Sequence, residues 1–183
     1  MQVEVKEDFL MKNYSKLKLV CFSAMLIAIE VVLNRFLSIN TMGLKIGFSF
    51  VPIVIAAMLF GGVRAGLIYG LADLIGALLF PIGPYCPGFT VSAVLMGMIY
   101  GLFLYKREKL GFFKNILPPV LINCIVLGLF VNTAWVSLLY ASRGYWGWFV
   151  YRLPEYAVLI PVSVALIPAI FKLSRVLRKM LNK

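Results

Sequence analysis

The sequence contains no histidine at all, and only seven acidic residues among its 183. Without imidazole there can be no histidine metal site, no histidine general base and no Ser-His-Asp triad. Cysteine is scarce too. Cys21, Cys86 and Cys124 are odd in number, far apart and form no C-x-x-C pair, so they read as small apolar fillers. No G-x-x-x-x-G-K-[ST] phosphate loop is present, so the chain does not hydrolyse ATP by that route. Nor does any internal repeat relate two halves, as in many secondary transporters. Charge is thin: 14% of residues, against about a quarter in soluble domains.

What the chain has in abundance is apolar surface, with 62% hydrophobic residues and a mean hydropathy of +0.96. These residues come in blocks of roughly 16 to 26, long enough to cross a bilayer core of about 30 Å. The blocks read as spans at 17–34, 46–61, 63–80, 88–105, 116–141 and 152–173. The predicted fold is therefore all-α: one integral membrane domain over 1–183, a six-transmembrane-helix bundle with no separate soluble domain. The first block is too long for an ordinary secretory signal and lacks a small-residue cleavage site, so it reads as an uncleaved span. Gly61-Gly62 predicts a tight turn between the second and third spans. Pro81, Pro84 and Pro87 forbid helix between the third and fourth.

The net charge of +11 does not indicate nucleic acid, because the basic residues sit in short segments between apolar blocks. Counted over six spans, Arg35, Lys45, Arg143 and Arg152 fall on one side. The other fourteen, from Lys6 to Lys183, fall on the opposite side. Cytoplasmic loops carry the basic excess, so both termini are expected in the cytoplasm.

Three acidic residues depart from this pattern. Glu30, Asp73 and Glu155 lie within or at the edge of spans, and Asp73 is the deepest. A carboxylate at membrane depth is costly unless it is paired or lines a wet cavity, so each is a functional candidate, with a structural carboxylate bonded to a neighbouring helix as the plainer alternative. The outer half of the bundle would also hold Arg35, Lys45, Arg143, Arg152, Asn132 and Trp135, with many aromatic rings. Arg152 and Glu155, three apart at the start of the last span, project from one helical face. An interfacial belt accounts for most of the rings. The inner half has no comparable polar set. This asymmetry predicts an outward-opening pocket for a small anionic molecule with a flat heteroaromatic part. Small residues repeat every four positions at Ala24 and Ala28, at Gly62, Gly66 and Gly70, and at Ala93, Gly97 and Gly101, a spacing that lets helices approach closely in lipid.

Taken together, these residues resemble the substrate-binding S components of energy-coupling factor (ECF) vitamin transporters, and among them the folate-specific ones. The resemblance rests on Lys45-Ile-Gly-Phe-Ser-Phe-Val-Pro52, Met58-Leu-Phe-Gly61, Gly70-Leu-Ala-Asp73-Leu-Ile-Gly76, Phe80-Pro-Ile-Gly-Pro-Tyr-Cys-Pro-Gly-Phe-Thr90, Asn132-Thr-Ala-Trp135 and Arg152. It spans 17–173 and is specific only as a set. The family more often has an aromatic at Cys86, and Pro at the second position of Gly61-Gly62.

The resemblance implies a multi-pass protein of the bacterial plasma membrane that captures a vitamin from outside and is not an enzyme. It implies docking on a transmembrane coupling subunit with two cytoplasmic ATPases, Ala24 and Ala28 meeting that subunit. It makes 35–45 a gating loop. Carried over, Arg35, Lys45 and Arg152 would hold the glutamate-like carboxylates. Asp73 or Glu155 would pair with the pterin-type N–H edge, and Phe48, Tyr85, Asn132 and Trp135 would line the ring slot. No cofactor is expected, folate being cargo. The rival readings are an S component for pantothenate, a pyridoxine-like compound or a queuosine precursor, a small intramembrane enzyme using Asp73 and Glu155, and a purely structural membrane subunit.

Overall fold

A computed structural model describes residues 2–41, 44–107, 109–140 and 142–181, with side chains described for 17–38, 47–107, 109–140 and 142–179. The chain runs α1 (Gln2–Arg35), a hairpin of β1 (Ile39–Thr41) and β2 (Leu44–Ile46), α2 (Phe50–Phe60), α3 (Gly62–Leu79) and α4 (Pro87–Leu104). The fifth span is composite. It consists of π-helical Phe112–Ile116, α5 (Leu117–Leu121), π-helical Ile122–Val131 and α6 (Asn132–Leu139), and α7 (Gly144–Leu181) closes the bundle. The all-helical membrane bundle expected from hydropathy is what forms, with the short hairpin as its one sheet among the described residues.

Five stretches are long and apolar enough to cross a membrane: Leu17–Arg35, Gly62–Leu79, Pro87–Leu104, Phe112–Leu139 and Gly144–Lys179. The second predicted span, 46–61, is different. Its helix has 11 residues, about 16 Å at 1.5 Å per residue, roughly half the hydrocarbon thickness. Leu44–Ile46 belongs to the hairpin instead, with Lys45 opposite Asn40. A short helix survives at membrane depth because it is enclosed by protein. Pro52 to Met58 and Phe60 are all buried, as suits a helix apolar on every side. Irregular backbone before it is tolerated only where protein or a cavity, and not lipid, surrounds it.

Two other boundaries move. The last helix begins at Gly144, eight residues before the hydropathy edge at 152. Its first two turns are Tyr145, Trp146, Trp148, Phe149 and Tyr151, interfacial rings that depress hydropathy while remaining helical. Arg152 and Glu155 consequently sit two turns inside α7 rather than at its start. The fifth span begins at Phe112, before Pro118 and Pro119, which are accommodated in the opening turn of α5 because proline tolerates a first turn. Pro154, Pro161 and Pro168 lie inside α7. Seven-residue spacing keeps these three rings on one face, and all are exposed.

The seam between α3 and α4 uses the small residues predicted for close packing. A Cβ on Gly97 would stand 2.6 Å from the Ala65 carbonyl oxygen, and one on Gly101 would strike Gly62. With no hydrophobic drive between helices in lipid, such backbone approach supplies the packing. These motifs are therefore spent inside the monomer. Ala24 and Ala28 are not: both are exposed on α1, on a face that includes Leu17, Met25 and Val32.

Side-chain contacts sort the two ends of the bundle. At one end Gly61, at φ +86°, packs against the Tyr105 ring, and Arg178 donates to the Met58 carbonyl. At the other, Phe36 meets Phe80 edge-on at 5.1 Å, and Tyr140 contacts Trp148 at 6.0 Å. The first end collects Arg64, Lys106, Lys172 and Arg178. By the charge bias it faces the cytoplasm, leaving the aromatic end outside.

Candidate binding site

The outer half of the bundle encloses a cavity of about 550 Å³, within the range of roughly 300–1,000 Å³ typical of small-molecule sites. Its walls come from α1, α2, α3, the proline loop, α4, the fifth span and α7. Residues 81–86 cannot be helical, so they cross the mouth, contributing Ile82, Gly83 and Tyr85.

Six of the predicted residues line this cavity: Arg35, Asp73, Tyr85, Asn132, Arg152 and Glu155. Phe48 and Trp135 stand apart from it. Phe48 precedes α2 and is 51% exposed. The Trp135 indole lies over Gly88, whose missing Cβ makes the room, and donates to Ser92 Oγ at 3.2 Å, pinning α6 to the start of α4. The Lys45 side chain lies outside the described residues.

Arg152 and Glu155 form the buried heart of the polar wall. Arg152 Nε donates to Glu155 Oε2 at 3.2 Å, Nη1 to Thr133 Oγ1 at 3.3 Å and Nη2 to Tyr156 Oη at 2.7 Å. The two residues are 6% and 3% exposed. A paired and hydrogen-bonded arrangement is what lets two charges sit at this depth. Gly128 leaves space for the Tyr156 ring, which a Cβ there would meet at 2.5 Å.

A second chain of bonds joins the proline loop to α3. Thr90 Oγ1 donates to Asp73 Oδ2 at 2.8 Å, and Tyr85 Oη lies 2.9 Å from Thr90 Oγ1. Since the threonine proton is given to Asp73, Tyr85 is the donor in that contact. Asp73 is thus held by a neutral relay, with no basic partner within ion-pair distance among the described residues.

Of the two described cations that line the cavity, Arg152 is bonded and Arg35 has no hydrogen bond or ion pair among the described residues. It ends α1 at the cavity edge, beside Gly76, where a Cβ would come 2.9 Å from its Nε. That Nε is buried and has no hydrogen-bond partner among the described residues. Arg143, by contrast, lies off the cavity, over the rings of Trp148 at 5.2 Å and Tyr151 at 4.5 Å, a cation–π arrangement that holds it in the outer belt.

The sequence reading missed an inner set: Asn34, Tyr69, Tyr100, Asn123 and Ser163 also line the cavity. Asn34 Nδ2 donates to Glu30 Oε1 at 2.6 Å, and Asn123 Nδ2 to the Met96 carbonyl at 3.2 Å. The carboxamide oxygens of Asn34, Asn123 and Asn132 are buried without partners among the described residues. The signal available was polarity alone: an asparagine in an apolar run at membrane depth carries the same default suspicion as a charge.

The arrangement can therefore grip an anion at Arg35, accept N–H groups at several carboxamides and carboxylates, and enclose a flat ring. The family described as the ECF transporter, substrate-specific component, matches residues 18–173. The chain is 35% identical over 158 residues to the folate transporter FolT of Clostridium novyi (strain NT), covering 86% of this chain and 90% of that one. It is 27% identical over 147 residues to the folate transporter FolT of Leuconostoc mesenteroides subsp. mesenteroides, covering 78% of each. A crystal structure of FolT bound with folic acid aligns with a TM-score of 0.75 at 36% identity, over 81% of this chain and 88% of that one.

Proposed function

Because the chain belongs to the family of ECF transporter substrate-specific components, we propose that its cargo is a folate, captured from the outer side in the cavity and passed inward by a partner complex. The relatives are transporters rather than enzymes, and two of them are named for folate. Arg35 is the observation that carries the reading. A buried guanidinium nitrogen with no partner among the described residues, at the rim of a ring-sized cavity, calls for an anionic group on the ligand.

On this reading Arg35 binds a carboxylate of the glutamate end, assisted by Lys45. Arg152 contributes positive field while tied to Glu155, and Asp73 or Glu155 accepts from the pterin N–H edge. Tyr85 and Asn132 border the ring, with Phe48 and Trp135 supporting its surroundings. Folate is cargo, and no cofactor is involved. Exposure of Ala24 and Ala28 favours their use as the contact with a transmembrane coupling subunit that carries two cytoplasmic ATPases. The other members of the importer supply the energy, since this chain has no phosphate loop.

The test is uptake of labelled folic acid by cells lacking other folate import. They would express this chain with an ECF coupling module, intact or carrying inactive ATPases. Accumulation that needs both the chain and active ATPases supports the proposal. Accumulation of pantothenate or pyridoxine instead would keep the transport role and replace the cargo.

A further inference from the structure

The fifth span contains an unusually long π-helical run, Ile122–Val131, in which Asn132 N–H continues the pattern by donating to the Leu127 carbonyl five residues back. π-helical segments are rare, mostly single-turn, and concentrate at functional sites. The consequence for side chains is geometric. Asn123 and Asn132 are nine residues apart. At 3.6 residues per turn that is two and a half turns, which would set them on opposite faces. A helix closed by i→i+5 bonds holds roughly 4.4 residues per turn, so nine residues make about two full turns and return to the same face. Both asparagines do line the cavity.

Asn123 is the deeper of the pair and is 3% exposed. Its Nδ2 is committed to the Met96 carbonyl of α4 at 3.2 Å, which fixes the carboxamide plane. Its Oδ1 is buried and without a partner among the described residues, in a carboxamide that lines the cavity beside Tyr100. The group cannot flip to offer a donor without losing the bond to α4. This position therefore takes an N–H or O–H and rejects a bare ring nitrogen or carbonyl. Being uncharged, it does so without stripping water from a carboxylate.

We propose that Asn123 is a specificity-determining residue of this site: its carboxamide oxygen accepts a hydrogen bond from an N–H of the flat heteroaromatic end of the cargo, and the π-helical register brings it onto the cavity face shared with Asn132. The proposal rests on the folate reading of the cavity and deepens it by naming the group read at its floor. A buried acceptor left unpaired weakens binding roughly tenfold to a hundredfold. Sites built around such a bond discriminate strongly against analogues that lack the donor.

The experiment uses the purified full chain in detergent, wild type and N123L. Each is titrated with folic acid, with a folate lacking the 2-amino group, and with a folate methylated at the ring lactam nitrogen. Wild type should bind folic acid at least tenfold more tightly than one of the two analogues, and N123L should bring that ratio close to one. A leucine that merely disturbed the fold would lower all three affinities together and keep the ratio. That outcome, or N123L binding folic acid within threefold of wild type, overturns the proposal. If N123L shows no ligand-free melting transition, N123A, which also lacks an acceptor, is read in the same way. Failure of wild type to bind folic acid would remove the folate reading and this assignment with it. Wild-type binding with unchanged discrimination in the variant removes this assignment alone.

Discussion

Arg152 and Glu155 lie one helical turn apart on α7, with Nε 3.2 Å from Oε2 and both side chains nearly buried. Their charges cancel where neither could stand alone. Removing one partner from a buried pair leaves an uncompensated ion, at a cost of about 3–5 kcal/mol, whereas replacing both with apolar groups is often far milder. R152Q and E155Q should each depress the melting temperature of the ligand-free, detergent-solubilised chain clearly. The double variant R152M/E155L should recover much of the loss. Thermal melts of the four proteins check this, and a double variant worse than either single one contradicts it.

The α3–α4 seam should be equally intolerant of bulk. G101V drives a side chain into Gly62 and should abolish the folded, monodisperse species. G111A is the contrast, because the nearest groups to an added Cβ there are 3.8 Å away. It should melt within about 0.5 kcal/mol of wild type, as surface substitutions usually do. Size-exclusion profiles and melts of both variants decide it.

Asp73 depends on Thr90 for its donor and, through it, on Tyr85. T90V should weaken folic acid binding by about tenfold, the value of a lost hydrogen bond to a charged group. Y85F, one step further from the carboxylate, should have the smaller effect. Titration of the purified variants tests the order, and a larger effect in Y85F would show that the tyrosine hydroxyl bonds the ligand directly instead of serving the relay.

The exposed small pair on α1 should matter to transport alone. A24F and A28F add bulk to an open face and should leave melting and folic acid binding unchanged, while uptake through the coupling module falls severely. Binding assays and uptake in the same strain separate the two. Loss of binding in either variant would place the pair in the fold rather than at a contact.

Much of this was legible in residue type. Three prolines between 81 and 87 and the turn at Gly61-Gly62 were readable because each removes backbone options outright. The seam of α3 and α4 was readable as small residues at helical spacing. Which small motif packs inside and which faces out was not, since composition is the same in both; exposure of Ala24 against burial of Gly97 decides it. The start of α7 was misjudged because interfacial rings are weakly apolar yet helical. Arg35, Asp73 and Arg152 announced themselves as charges in apolar surroundings. Asn123 offered only its polarity, because an α-helical wheel sends it away from Asn132, and nothing in the otherwise apolar run Ile122–Val131 marks a change of helical period. The Trp135 ring suits a ligand slot by residue type, but it covers the bare backbone of Gly88.

The central claim is that this chain alone captures a folate. The most direct measurement is equilibrium binding of labelled folic acid to the purified full-length chain in detergent, with unlabelled folic acid, pantothenate and pyridoxine as competitors. The account predicts saturable binding at one site, displaced by folic acid and untouched by the other two vitamins. No saturable binding of folic acid, or displacement by pantothenate or pyridoxine at equal concentration, would contradict it.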